Sequence, residues 1–432
     1  MEFRRAEPTD TRALAAFWTE AFPGRRTLAD RVRQLETGVP YGGIGSAVIA
    51  EERGRLVGAF RAYAMQEHLG GATVPMLGLA AVATAPDARR RGVGRALCRE
   101  AMRLGRERGD VVSVLYAARP TFYRALGWGL VGELHAYRFA PDALPEYEEA
   151  AHVRPAGAGD RGRIEACYAR VAARSNGPIE RGPDAWEFHL GVPGVEAVVY
   201  EAEGEVLGYA LVRFGGVRAG ERPGTRDGAK ESVGGGARPR AARELRVREL
   251  VAEDEAARRG LLGWLAAQRD RVATIRYDAR PDERLDLLLR DPRAPGAGRA
   301  RALWFPTARR IRGPMLRVLD VPAALAARRR WGRERGIALA LEIVVHDDVV
   351  PENRGPWEVV IEDDGAHVHP RGAATGYDAR LELDAATFAQ IYAGEFEPST
   401  AARLGLARID GAADALDRVF APESPFWLLD EF

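Results

Sequence analysis

Hydrophobic and polar positions along the chain predict a strand–helix–hairpin unit that occurs twice. Phe3-Arg4-Arg5-Ala6, then Asp10 before an apolar-periodic run at Leu14, Phe17 and Trp18, predicts a short strand entering a helix. Val153-Arg154-Pro155-Ala156, then Asp160 before Ile164, Cys167 and Tyr168, repeats that pattern about 150 residues later. Ala47-Val48-Ile49-Ala50-Glu51, Gly54 and Leu56-Val57-Gly58 predict two strands around a glycine turn. Val198-Val199-Tyr200-Glu201, Gly204 and Val206-Leu207-Gly208 copy them at the same offset. Two separated matches with one shared offset mark two copies of one α/β domain.

The copies then diverge. Residues 215–242 are rich in Gly, Arg and Pro and offer almost nothing to bury, which predicts a disordered loop between two strands of the second copy. Beyond about residue 315 the pattern changes. Leu339–Val345, Trp357–Glu362 and Arg380–Leu383 alternate as short strands, and Ala385–Tyr392 and 412–420 read as helices, so a separate α+β domain is expected. The closing Pro425-Phe426-Trp427-Leu428-Leu429-Asp430-Glu431-Phe432 is apolar for a chain end and predicts a docked tail. These breaks divide the chain into intervals 1–145, 146–315 and 316–432.

Composition narrows the function classes. Lys and Arg total 63 against 62 Asp and Glu, so no long-range field recruits nucleic acid. Two cysteines, Cys98 and Cys167, make neither a disulfide framework nor a CxxC site, which predicts a reducing, cytoplasmic setting. No apolar signal core follows the charged Met1–Arg5, and no run suits a membrane helix, so no membrane partner is expected. His367-x-His369 lacks a third ligand, and no metal is expected. Asp347-Asp348 and Asp363-Asp364 read as solvated turns, and Trp186, followed by Phe188, as core or pocket wall.

The chemistry concentrates in one segment. Leu79–Ala85 has the length and apolarity of a buried strand. Pro86-Asp87-Ala88-Arg89-Arg90-Arg91-Gly92-Val93-Gly94 and a helix through Cys98, Met102 and Leu104 follow it. Glycines at 92 and 94 clear space for an anion to reach backbone N–H groups at a helix start, and the arginines add charge: a pyrophosphate cradle. The dinucleotide GxGxxG fails because Leu97 stands at its last position, and no Walker loop occurs. Farther on, the buried-type strand Val111–Ala117 leads to Phe122-Tyr123-Arg124-Ala125-Leu126-Gly127-Trp128-Gly129. A phenol can serve as a general acid, so Tyr123 is a candidate beside the reading as a packing aromatic, and Tyr116 is a rival. In the second copy, aligning Arg91-Gly92 with Arg259-Gly260 puts Ala257 at the Arg89 position, Leu262 at the Gly94 position and Arg284 at the Tyr123 position. Cradle and acid are both lost there.

Arg89-x-x-Gly92-x-Gly94 between strand and helix resembles the acetyl-CoA signature of the GNAT (Gcn5-related) N-acetyltransferases. The whole chain resembles the Eis (enhanced intracellular survival) family. The resemblance rests on Gly78-Leu79 through Arg91-Gly92, on Tyr123 with Gly127-Trp128-Gly129, on Val321-Pro322-Ala323-Ala324-Leu325, and on Glu431-Phe432. It implies two tandem mixed-sheet GNAT domains, the second degenerate, followed by a sterol-carrier-protein-like α+β domain. It also implies acetyl-CoA as cosubstrate and direct transfer to a primary amine of a small molecule or a lysine. By resemblance, the backbone of Val82 and Thr84 aligns the pantetheine arm, and Arg89, Arg90, Gly92 and Gly94 hold the pyrophosphate. Tyr123 is then the general acid and the α-carboxylate of Phe432 the general base. A homo-oligomer, hexameric by resemblance, is implied too. Members that modify aminoglycosides have an acidic acceptor pocket. Here Arg119, Ala81 and Ala118 depart from that pattern, and Glu20, Glu36 and Glu431 are the remaining acidic candidates. Alternatives are a non-catalytic acyl-CoA- or lipid-binding assembly protein, or a transferase of longer acyl groups.

Overall fold

The computed structural model describes residues 1–24, 26–216, 243–293, 305–329, 339–362, 365–370, 376–422 and 424–432. Residues 217–242, most of the loop expected from the sequence, and Asp363-Asp364 therefore lie outside the described residues.

The chain opens with β1 (Glu2–Arg5), α1 (Thr11–Ala21), α2 (Leu28–Thr37), β2 (Ala47–Glu52), β3 (Arg55–Leu69) and β4 (Ala72–Thr84). Then come α3 (Val93–Arg108), β5 (Val112–Tyr116), α4 (Pro120–Arg124) and β6 (Gly129–Leu130). The middle holds β7 (Leu134–Phe139), β8 (Val153–Pro155), α5 (Arg161–Ala172), α6 (Pro183–Leu190), β9 (Val195–Ala202) and β10 (Glu205–Gly216). β11 (Arg243–Ala252), α7 (Glu255–Ala266), β12 (Thr274–Ala279), α8 (Leu285–Leu288) and β13 (Arg309–Ile311) complete it. The last third holds β14 (Pro314–Val318), α9 (Val321–Ala327), β15 (Leu339–His346), β16 (Trp357–Glu362) and β17 (Gly365–Pro370). It ends with β18 (Ala379–Asp384), α10 (Ala385–Tyr392), α11 (Pro398–Arg403), β19 (Ala407–Gly411) and α12 (Ala413–Phe420).

These elements build three sheets, ordered β1-β2-β3-β4-β5-β14-β6, β13-β7-β12-β11-β10-β9-β8 and β17-β16-β15-β18-β19. The first two are the same design: β8–β12 stand in sequence as β1–β5 do. The repeat extends to its charges. Arg4 reaches Asp10 (2.7 Å) and Glu51 (2.8 Å), and Arg154 reaches Asp160 and Glu201 (both 2.6 Å). Each copy has given away a strand. The place beside β5 is filled by β14 and the place beside β12 by β7, both antiparallel. The repeats thus exchange strands reciprocally, which no local pattern reveals.

Residues 1–133, 172–189 and 312–432 form one compact unit, and 134–171 and 190–311 another. In the first, one apolar core runs from Leu69, Met76, Val112 and Val114 to Leu341, Ile343, Phe388 and Phe420. A second cluster packs α3 through Val93, Leu97, Cys98 and Met102 under Phe60, Leu77 and Leu115. A third packs Leu14, Trp18 and Leu35 against Ile49, Ala59 and Ala83 on the other face of the same sheet. The spacing of the buried α3 residues follows the 3.6-residue helical repeat. Asp347 corrects an expectation: it is buried and paired with the equally buried Arg317 (2.7 Å), while the neighbouring Asp348 is exposed. A buried carboxylate must be paired, and Asp347 also accepts the Val349 (3.0 Å) and Val350 (2.9 Å) amides.

Candidate functional site

The site begins with a defect in β4. Arg61 opposes Ala80 and Ala59 opposes Ala83, so Phe60 alone faces both Ala81 and Val82. This is a bulge, and Ala81 sits in it at φ 50°. The Trp18 indole pins it by donating to the Ala81 carbonyl at 2.8 Å. On the other edge β4 pairs with the parallel β5 only at Met76–Val112, Leu77–Ser113 and Gly78–Val114. Beyond Gly78 the two strands part. The β5-facing backbone groups of the segment holding Val82 and Thr84 have no ladder partner there, leaving hydrogen-bonding groups for an extended ligand.

At the end of β4 the chain turns into α3 through Arg90 at φ 63° and Gly92 at φ 85°. Both lie in the left-handed region, and at Gly92 a Cβ would point into open space. The first α3 bond joins the Ala96 amide to the Gly92 carbonyl (3.0 Å), and no side chain caps the helix. The amides of Val93, Gly94 and Arg95 are thus the orphan donors of a helix start, with the dipole behind them. Arg89 and Arg90 are exposed and have no ion-pair partner among the described residues, whereas Arg91 is tied to Glu52 at 2.6 Å. A phosphate fits these features: free amides, a clear approach and uncommitted cations. Gly94 is a different case from Gly92. A Cβ there would touch Phe122 at 3.4 Å and lie 3.8 Å from the Thr84 hydroxyl.

The second copy closes the same place. Against Gly208, Ala257 and Leu261 occupy the positions that Val93 and Leu97 occupy against Gly58. The alignment of Arg259-Gly260 with Arg91-Gly92 is therefore off by one helical turn. Residues 85–92 link β4 to α3, but only 253–254 link β11 to α7. The cradle loop is missing, and Asp254 caps the helix by accepting the Ala257 amide at 2.7 Å.

Tyr123 lies on α4, edge-on to Phe122 (5.0 Å) and Trp128 (6.0 Å). Its carbonyl accepts the Leu126 (2.9 Å) and Trp128 (3.1 Å) amides, which fixes the turn. Its hydroxyl has no hydrogen-bond partner among the described residues. Burial pushes the phenol well above its ordinary pKa and the nearby Cys98 adds to this, so it stays protonated at neutral pH. Cys98 is itself buried, which pushes its thiol up to about 12. Tyr116, the rival, spends its hydroxyl elsewhere: it donates to the Asp430 carbonyl at 2.8 Å.

The tail converges on the same sheet. Phe426, Trp427 and Leu428 are buried, and the Trp427 amide donates to the Asn176 carbonyl at 2.9 Å. The Phe432 ring stands edge-on to Tyr41 (6.0 Å), Tyr63 (6.4 Å) and Tyr116 (5.8 Å). It lies over Gly78, where a Cβ would meet it at 3.3 Å. Asp430 anchors this end. Its carboxylate receives the buried Arg181 side chain (2.9 Å), the buried His189 through Nε2 (2.8 Å) and the hydroxyl of the half-buried Tyr41 (2.9 Å). Burial alone would raise its pKa, but the Arg181 charge and the His189 hydrogen bond outweigh that and hold it well below the usual carboxylate range. The structure thus gathers Thr84, Gly94, Phe122, Tyr123 and Cys98 at one place. It sets Phe432 among Gly78, Tyr41, Tyr63 and Tyr116. Tyr123 and Phe432 share no ring partner. Glu20, Glu36 and Glu431 are exposed, as is Arg119.

Sequence reasoning missed Asp430, Arg181, His189, Tyr41 and Arg61. The available signal was Asp430 itself: a charge inside an apolar, docked segment must find a partner.

Comparison with known proteins adds an independent line. Residues 2–131 and 177–318 each match an acetyltransferase (GNAT) domain family, and 321–428 a sterol carrier protein domain family. An uncharacterized N-acetyltransferase of Streptomyces griseus is 30% identical over 96% of this chain and 94% of its own length. The N-acetyltransferase Eis of Mycobacterium tuberculosis is 29% identical over 84% of this chain and 82% of its own. Among solved structures, Eis1 from Mycobacterium abscessus covers 100% of both chains with a TM-score of 0.76 at 22% identity. A GCN5-related N-acetyltransferase from Kribbella flavida covers 100% of this chain and 98% of its own, with a TM-score of 0.76 at 25% identity.

Proposed function

The chain belongs to the Eis-like GNAT N-acetyltransferases, with a sterol-carrier-type C-terminal domain, and on that basis we propose that it acetylates a primary amine directly, with Tyr123 as acid and the Phe432 α-carboxylate as base. The observation that carries the reading is the docking of Phe432 on β4, the strand whose far end is splayed and bulged and reaches Thr84, which flanks Gly94 together with Phe122, the ring partner of Tyr123.

Acetyl-CoA, the cosubstrate of the GNAT fold, supplies a thioester whose carbonyl accepts the amine and whose thiolate departs. Arg89, Arg90, Gly92, Gly94 and the free first-turn amides of α3 would hold its pyrophosphate. The unpaired backbone of Val82 and Thr84 would align its arm. The Phe432 carboxylate takes a proton from the acceptor nitrogen as the N–C bond forms, and Tyr123 gives its proton to sulfur as the C–S bond breaks. Tyr123 is available for that step because its hydroxyl carries a proton and has no hydrogen-bond partner among the described residues. The acceptor is a small-molecule amine or a lysine, and the working assembly is a homo-oligomer.

The test is thiol release from acetyl-CoA over a panel of amines, comparing wild type, Tyr123→Phe and a chain extended beyond Phe432. Both changes are expected to lower kcat/KM by about 10²-fold or more. Undiminished turnover in either variant refutes that residue's role. Acetyl-CoA binding without transfer to any amine would favour an acyl-CoA-binding protein instead.

A further inference from the structure

Arg61 lies on β3 one pleat from Tyr63, on the same face of the sheet, and opposite Ala80. A Cβ at Gly78 would meet both Tyr63 and the Phe432 ring at 3.3 Å, so Arg61, Tyr63 and the tail share that face. Arg61 therefore sits between the docked tail and the Ala81 bulge. Its side chain is buried, with 3% of the residue exposed. Its Nε donates to the Ser46 hydroxyl at 3.1 Å and its Nη2 to the Gly43 (3.2 Å) and Gly42 carbonyls. The guanidinium stacks 4.9 Å from the centre of the Tyr63 ring.

All of those partners are neutral. Among the described residues Arg61 forms no ion pair with an Asp or Glu side chain. Arg31 on α2 repeats the situation: it is 8% exposed, donates to the Phe22 carbonyl at 3.3 Å and has an enclosed Nε with no partner. A buried guanidinium without a carboxylate is an expensive feature for a fold to keep. Nη1 of Arg61 has no partner among the described residues. It is also absent from the enclosed atoms that lack one, so this nitrogen is not fully enclosed.

We propose that the acceptor amine carries an anionic group, a carboxylate or a phosphate, and that Arg61 receives it through Nη1. This rests on the transferase reading above and narrows its substrate class. The acceptor is an amino-acid-like or phosphorylated amine, and a polycation is disfavoured by like charge.

The experiment uses amine pairs that differ in the anion alone: phenylalanine and phenethylamine, lysine and cadaverine, phosphoethanolamine and ethanolamine. Thiol release and product mass are followed for the full chain. For at least one pair, the anionic member is expected to exceed its neutral partner at least about tenfold in kcat/KM, the scale of one charge-assisted hydrogen bond. Arg61→Met should bring that ratio to about one, and Arg61→Lys should keep part of it. The carboxylate and phosphate pairs separate the two anion sources. Equal or better turnover of the neutral members overturns the proposal. So does an Arg61→Met variant that depresses both members of a pair equally, which would make Arg61 a support for the 42–46 turn or the tail carboxylate. If no amine of any pair is acetylated, the transferase reading fails by itself. A thermal-shift comparison of the same pairs on wild type then decides Arg61: a larger shift with the anionic member supports it, and equal shifts overturn it.

Discussion

Replacing Asp430 with Asn tests whether the tail is a working part of the site. The substitution keeps the shape and can still accept the Tyr41 hydroxyl, but it removes the charge facing Arg181, whose side chain is 0% exposed. Breaking a buried, hydrogen-bonded ion pair by removing one partner costs about 3–5 kcal/mol. Where that cost falls depends on the weakest local unit. Phe426, Trp427 and Leu428 are buried upstream, and each contributes roughly 1.5–3 kcal/mol to docking, so residues 426–428 should stay in place. Residues 429–432 are the segment free to release. A shift of about 3–5 kcal/mol in their docking would lower the competent fraction by roughly 10²- to several 10³-fold, less whatever margin the docked state holds in reserve. The expected result is a fall of about 10²-fold in kcat/KM with Tm lowered by only a few degrees, read by thiol release and by scanning calorimetry. Hydrogen exchange confined to the last residues would locate the change. A folded Asp430→Asn protein with kcat/KM within about threefold of wild type would refute the positioning argument. Acid should act similarly. The folded pKa of Asp430 is depressed, so its stabilisation is complete above the unfolded value near 4 and is lost as pH falls toward the folded one.

Other expectations follow from single features. Gly92→Ala places a Cβ at φ 85°, which should cost about 1–2 kcal/mol of stability and raise the KM for acetyl-CoA, whereas Gly94→Ala meets Phe122 at an ordinary 3.4 Å and should fold with near-normal stability; calorimetry and initial rates separate the two. Glu67 is enclosed with neither carboxylate oxygen partnered, and burial raises its pKa well above the usual value. Because it binds its proton more tightly folded than unfolded, stability should fall as pH rises above about 4. Glu67→Gln should therefore raise Tm more at pH 8 than at pH 5, and an equal or negative shift would refute the assignment. A fragment ending at residue 145 lacks β14, the neighbour of β5. It should aggregate or bind a hydrophobic dye, whereas a soluble, cooperatively melting fragment would show that β5 tolerates an open edge.

How much was legible depends on how far each signal reaches along the chain. The Gly92 turn, the apolar tail and the Arg4/Arg154 repeat were readable because their causes lie within a few residues: a positive φ, a helix start, a strand period. The Ala81 bulge was not, since alanine is an ordinary strand residue and only the β3 register forces it into the left-handed region. The clamp on Asp430 draws on residues 41, 181 and 189, which no periodicity links. Asp347 beside Asp348 looked like a solvated turn because two adjacent carboxylates usually are one; its partner Arg317 lies in a strand thirty positions earlier. The second copy was misaligned by one helical turn because amphipathic helices match themselves at that spacing, and only the packing against Gly58 and Gly208 breaks the tie.

The reciprocal exchange of β7 and β14 has a consequence in time. β5 ends at Tyr116 and its neighbour begins at Pro314, about 200 residues later, so at roughly 5–20 residues per second the ribosome needs roughly 10–40 s to deliver it. Until then Val112–Tyr116, made for burial on both faces, has one edge exposed in the nascent chain. Synthesis therefore passes through a long interval in which residues 1–133 are already made while their sheet is unfinished. Cells that make this protein must keep that edge from finding another chain first.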